Sequence, residues 1–273
     1  MNVFSALILD DETTWPSELK QILDEGLPIL RAFFAEYARI ERLQRDDVGL
    51  RIREPRNPYR QRKDEIYDAV GRSLAGLYIV AWHCTRLCDD EIELVRTNGM
   101  YPLSPETLTT RLERRIRTGD ISTEEAERFA NEHKANDENR QKKLWFIFSR
   151  SLLHDEGGVG RLFTSWGGEA LYGCHEQDVC TGPVLRSIGS PCIVEAELPI
   201  ERIEAYFAPA EWVARPFLSR HRISAGNSPE RDGHIRETIG PERIRRVIPS
   251  ERTVTPRPNA NWAREDMRQS VLL

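Results

Sequence analysis

Leu77-Tyr-Ile-Val-Ala-Trp-His83-Cys-Thr85-Arg86 is the stretch on which the reading of this chain turns. Residues 77–83 form an apolar run closed by an imidazole, the pattern of a buried strand. Asp89 or Asp90 then offers a carboxylate to the free amides of a following helix, and Gly99 offers the left-handed turn that closes it. A strand that delivers His83 and Thr85 at its end, with a helix turning away, sets an imidazole and backbone amides beside a ligand. A second corner of this kind is read in Leu162-Phe-Thr-Ser165-Trp-Gly167-Gly168-Glu169-Ala-Leu-Tyr172. There a strand over 160–165 meets a glycine turn, and the next helix carries Tyr172, whose ring can stack on a planar group.

Upstream of the first corner, residues 12–45 have apolar residues at helical spacing, from Leu19 and Leu23 to Phe33, Phe34, Tyr37 and Ile40. Pro28 predicts a break or a fresh start within that helix. Residues 50–63 are basic (Arg51, Arg53, Arg56, Arg60, Arg62 and Lys63) and hold two prolines, so they read as a connector or as an arm that touches a polyanion. Asp64 to Leu74 is a short amphipathic helix ended by Ala75-Gly76.

Between the corners, residues 104–153 read as wholly helical. Ser104-Pro105-Glu106 is a helix start, Ser122-Thr-Glu-Glu125 is a capping box, and residues 137–153 are a further amphipathic helix. The block 104–155 therefore reads as a helical insertion or lid. Later strands are expected at 191–198, at 234–239 and at 245–248, with a turn at Gly240-Pro-Glu-Arg-Ile244 and a loop at 224–233. The tail 251–273 reads as loose. The predicted organisation is an N-terminal helical region with a basic linker (1–70), a core domain (71–250) and that tail.

The chain has 273 residues, a formal net charge of −5 and 39% hydrophobic residues, enough for one large domain but not for a generally nucleic-acid-coating surface. No run of about 18 apolar residues is present, so no membrane span is expected. The apolar N-terminus lacks a basic start and reads as a packing segment, not a signal peptide. Five cysteines, an odd count, fit a reducing cytoplasmic setting.

Motifs for phosphate loops (GxxxxGK[ST]), dinucleotide turns (GxGxxG), zincins (HExxH) and the hydrolase elbow (GxSxG) are absent. Cysteine and histidine cluster at His83-Cys84-x3-Cys88 and at Cys174-His175-x4-Cys180, but with the wrong spacing for a structural zinc site, so no metal is expected. Acidic candidates for chemistry lie on strands: Glu195 and Glu197, which share one face, and Glu237.

In their order, these pieces resemble the ADP-ribosyltransferase superfamily, the NAD-cleaving fold of bacterial toxins and poly-ADP-ribose polymerases. The resemblance is carried by His83 and Thr85, by Glu91-x3-Val95-x2-Asn98-Gly99-Met100, by Leu162-Phe-Thr-Ser165 with Tyr172, and by the ending Ile239-Gly-Pro241-Glu242-Arg-Ile244-Arg-Arg-Val247 as a final hairpin. It covers roughly residues 77–103 and 160–249. It implies an α+β fold with a split, mostly antiparallel β-core, NAD as co-substrate, and transfer of ADP-ribose to a protein or nucleic acid in a toxin- or defence-like role. NAD hydrolysis, or ligand binding without catalysis, are the alternatives on the same scaffold. By the same resemblance His83 bonds the nicotinamide ribose, backbone near Cys84 and Thr85 holds the carboxamide, and Tyr172 stacks on nicotinamide, with Arg86 and Ser165 beside them. A carboxylate that steadies the developing positive charge is also implied; Glu237 and Glu197 are the candidates, and no glutamate sits cleanly at the family's position. The macromolecular acceptor would meet the arginines of 51–62.

Overall fold

The structure, a computed structural model, describes residues 6–47, 49–50, 55–154, 158–226 and 232–250. At its centre is β1 (Tyr78–Leu87), in an antiparallel five-stranded sheet with β2 (Leu144–Ile147), β3 (Ser190–Pro199), β4 (Asp232–Ile235) and β5 (Ile244–Pro249), in the order β4-β2-β1-β3-β5. Helices pack around it, which makes the fold α+β as expected. Alternation along β1 sends Ile79, Ala81, His83, Thr85 and Leu87 to an inner face, and Val80, Trp82, Cys84 and Arg86 to an outer one.

The inner face is the main core. Ile79, Ala81, Phe146, Val194 and Ala196 meet Leu19, Leu23 and Leu30 of α1 (Ser17–Asp46), Val70 of α2 (Arg60–Ser73) and Trp212 and Phe217 of α9 (Pro209–Arg220). Each such buried large side chain contributes about 1.5–3 kcal/mol by leaving water. The N-terminal helices thus share a core with the sheet. Pro28 lies inside α1 and does not break it: the buried stripe Leu19, Leu23, Gly26, Leu30 runs straight through, and packing outweighs one lost backbone hydrogen bond. Gly26 lets α2 approach, since a Cβ there would meet Ile66 at 3.0 Å.

A second core joins α4 (Pro105–Thr118), α5 (Thr123–Asn131), α7 (Glu169–His175) and α8 (Thr181–Ser187) through Leu108, Leu112, Phe129, Trp166, Leu171 and Leu185. The capping boxes expected at Ser104 and Ser122 are present. α3 (Asp89–Asn98) is capped by Cys88 and Glu91, not by Asp89 or Asp90; Asp90 instead pairs with the buried Arg115. Gly99, at φ 80°, ends α3, and a Cβ there would collide with the carbonyl of Ile239.

Four further expectations are corrected. Residues 144–147 are a strand of the central sheet, so 104–155 is not a helical insertion; Leu144 and Phe146 are buried while Trp145 is exposed, a period of two inside an all-apolar run that could not display it. Residues 160–165 are not a strand but the end of α6 (Gly158–Thr164), which buries Val159, Gly160 and Phe163 at helical spacing. The second corner is thus a helix–turn–helix. The basic stretch is divided: Arg60, Arg62 and Lys63 begin α2, Arg56 precedes it, and Arg51 and Arg53 lie outside the described residues. Lastly, β4 and β5 form no hairpin; β4 pairs with β2 and β5 with β3, at opposite edges of the sheet. The tail 251–273 also lies outside the described residues.

Candidate functional site

The two edges of β1 differ. Toward β3 every residue is paired, from Tyr78↔Pro199 to Leu87↔Ser190. Toward β2 there is a parallel bridge of Leu7 to Ile79 and then one pair, Trp82↔Ile147, after which the two strands part. Leu7 N–H donates to the Tyr78 carbonyl and the Leu7 carbonyl accepts from Val80 N–H, both at 2.8 Å. Alternation therefore directs the backbone of Trp82 and Cys84 to this same edge, and that of His83 and Thr85 toward β3.

His83 stands where the strands part, within β1 and not at its end. Its Nδ1 lies 2.8 Å from the carbonyl oxygen of Trp145 on β2, and its ring is 5.6 Å from that of Phe146. A carbonyl only accepts, so Nδ1 carries the proton and Nε2 of the neutral ring is an acceptor. Nε2 has no hydrogen-bond partner among the described residues. Burial lowers the imidazole pKa, partly opposed by the Trp145 carbonyl and reinforced by the positive charge of Arg111, so the ring is neutral at neutral pH. In this tautomer Nε2 can accept from a hydroxyl but cannot donate to one.

A cluster that sequence reading did not assemble forms on the helix that follows β1. Glu91, buried in the first turn of α3, accepts from Cys88 N–H (3.0 Å), from Trp166 Nε1 (2.9 Å) and from Arg111 Nε on α4 (2.8 Å). Burial raises the Glu91 pKa, but the Arg111 charge and these donors outweigh it and hold the carboxyl below the usual glutamate range. The Arg111 guanidinium lies over the Trp166 ring at 4.5 Å. The spacing Cys88-Asp-Asp-Glu91 carried the signal for the cap; nothing in sequence tied it to Arg111 or Trp166, which arrive from distant segments.

The remaining candidates are dispersed. Thr85 is buried on the inner face. Arg86 donates to four backbone carbonyls, of Ile188 (2.9 Å), Phe163 (3.0 Å), Arg186 (3.0 Å) and Gly189 (2.6 Å), so it binds segments of the fold together and is not a cofactor ligand. Ser165 is buried in the turn between α6 and α7. Tyr172 is buried too: its hydroxyl donates to Glu169 at 2.9 Å and Arg161 lies over its ring at 4.6 Å, covering a face that stacking on nicotinamide would require.

The carboxylates do not join His83. Register and alternation put Glu195 opposite Trp82 and Glu197 opposite Val80, on the outer face, where His83 does not point. Trp82 Nε1 donates to Glu195 at 3.1 Å, and a bulge in β5 turns both Arg245 (3.3 Å) and Arg246 (2.9 Å) onto it. Glu197 faces Arg243 at 3.4 Å. Glu237 is exposed beyond the end of β4, paired with Arg202 at 3.1 Å.

Among the described residues no group of histidine, cysteine and acidic side chains could hold a metal ion. Burial pushes the Cys88 thiol up to about 11, the wrong direction for a thiolate ligand, and His175 is engaged by Thr181 and the Glu132 carbonyl. No described helix is long and apolar enough to cross a membrane. An open groove of about 730 Å³ between α2 and α9, lined by Tyr67, Arg72 and Glu211 among others, shares no residue with the His83 site. No protein-family model, curated protein or solved structure matches the chain.

Proposed function

We propose that this chain is an ADP-ribosyltransferase-like protein that takes NAD at the edge of β1 where β2 departs. One observation carries the reading: His83 is held at that departure with its Nε2 lone pair unpartnered. Nε2 accepts from a hydroxyl of the nicotinamide ribose. A neutral imidazole suits this place, because an imidazolium would repel a cationic nicotinamide ring. Nicotinamide then leaves as a neutral molecule, and a protein or nucleic acid takes the ribosyl carbon. The exposed Arg56, Arg60 and Arg62 give such an acceptor a salt-sensitive contact. With water as acceptor the same site is an NAD glycohydrolase.

A second reading, binding of NAD without cleavage, is favoured by the placement of Glu195, Glu197 and Glu237 away from the His83 side chain. Electrostatic support of an oxocarbenium-like state needs a carboxylate aimed at it, and Glu91 already accepts from three donors. The test is to measure NAD affinity and released nicotinamide for the wild-type chain, His83→Ala and Glu197→Gln. The transferase reading expects release that His83→Ala abolishes and Glu197→Gln leaves intact. Affinity without release selects the binding module, and no NAD affinity overturns both.

A further inference from the structure

We infer that Arg111 anchors a phosphate or pyrophosphate group of the ligand that enters beside His83. The inference deepens the NAD reading and rests on it for the identity of that ligand, though not for the anion site itself. Arginine carries five N–H donors, and here the hydrogen bonding takes one, from Nε to Glu91. Nη2 is buried and has no hydrogen-bond partner among the described residues, while the side chain as a whole remains 30% exposed. The guanidinium plane is fixed twice, by the Glu91 carboxylate at its Nε edge and by the Trp166 ring against its face. Trp166 Nε1 and the Cys88 amide both serve Oε2 of Glu91 and Arg111 Nε serves Oε1, while the far edge of the fork, Nη1 and Nη2, takes no part in holding Glu91.

A fixed guanidinium with its outer donors unmatched suits bidentate recognition of a phosphate oxygen pair, which would supply the acceptor that Nη2 lacks. Glu91 neutralises part of the charge, so the anion must be one that brings its own strong acceptors, as a phosphoryl group does and a carboxamide does not. The location agrees: Glu91 stands on the helix that follows β1 directly. A dinucleotide with its ribose at Nε2 of His83 would thus present its phosphates toward α4. Arg111 is on this account a binding and positioning residue, with no proton to move, since its guanidinium is charged throughout the working range.

The experiment is calorimetric titration of the full chain with three probes: NAD, inorganic pyrophosphate, and nicotinamide riboside, which lacks phosphate. Wild type, Arg111→Lys, Arg111→Gln and His83→Ala are compared, with thermal unfolding of each; Arg111→Lys keeps a cation against Glu91, which Arg111→Gln removes. The expected result is that wild type binds pyrophosphate in competition with NAD. Both Arg111 variants should weaken NAD and pyrophosphate about tenfold or more while leaving nicotinamide riboside unchanged, and His83→Ala should weaken NAD and nicotinamide riboside while leaving pyrophosphate unchanged. Pyrophosphate binding that needs Arg111, without NAD binding, keeps the anion site and removes the NAD reading. NAD binding indifferent to Arg111 keeps that reading and overturns this inference. Absence of pyrophosphate binding by wild type overturns the inference as well.

Discussion

The β3 edge and the β2 edge of β1 belong to one strand and serve opposite ends. Toward β3 the ladder is complete, its inner residues are sealed in the main core, and Arg86 ties its last turn to four carbonyls. Toward β2 the ladder stops at Trp82↔Ile147, and a side chain, His83, takes the carbonyl of Trp145 beyond it. Regular pairing gives stability because every polar backbone group has a fixed partner, and for the same reason it leaves nothing for a ligand. Where pairing stops, side chains and backbone become available, at a cost in local order that the intact edge must cover. On the proposed reading, rigidity and recognition share the same ten residues, separated by the direction each peptide faces.

The largest expected effect comes from attacking the closed edge. Arg86→Ala strips four carbonyls of their donor, and urea unfolding should register a loss of about 3–5 kcal/mol. A loss under about 1 kcal/mol would mean that water replaces the guanidinium freely and that this edge is not the anchor. Next, Val194 and His83 are direct cross-strand partners, and their truncations should separate. Val194→Ala should cost about 2 kcal/mol through the cavity left in the core without weakening NAD binding. His83→Ala should cost less and abolish binding. If both variants fail in both measurements, the edge distinction does not hold.

The His83 comparison has a pH arm. Burial lowers the imidazole pKa, so the unfolded chain binds the proton more tightly than the folded one. Stability from this group is therefore full above the unfolded value, about 6.5, and falls as pH drops below it toward the folded value. His83→Ala should remove that slope, seen as a smaller difference in unfolding free energy between pH 7 and pH 5.5. The smallest expected effect is at Tyr172→Phe, which removes the bond to Glu169 and should cost about 0.5–1.5 kcal/mol. If it also leaves NAD handling unchanged, that outcome supports a structural role for the Tyr172 hydroxyl.

Much of the frame was legible from local patterns. The run 77–83 declared a buried strand because its apolar residues are continuous up to His83, and the caps at Ser104 and Ser122 were readable because a cap is a contact between residues three apart. Helix boundaries near Gly99 followed from a backbone conformation that glycine adopts without strain. The identity of His83 as a residue of the first strand came from the same local information.

What the sequence alone could not decide lies at longer range. Leu144-Trp-Phe-Ile147 is apolar throughout and Gly158–Thr164 is too short for its period to distinguish strand from helix; the sheet edge decided the first and the packing of Phe163 the second. Alternation told that Glu195 and Glu197 share a face, but only the register with β1 revealed that it is not the face of His83. The imidazole tautomer depended on which acceptor stood beside it, and that acceptor lies 62 positions away along the chain. Arg111, Glu91 and Trp166 meet from three separate segments. Short-range propensity fixes which elements form, because its contacts lie within a turn or two; which side chains meet is set by how those elements pack, and that information is held in no window of the chain.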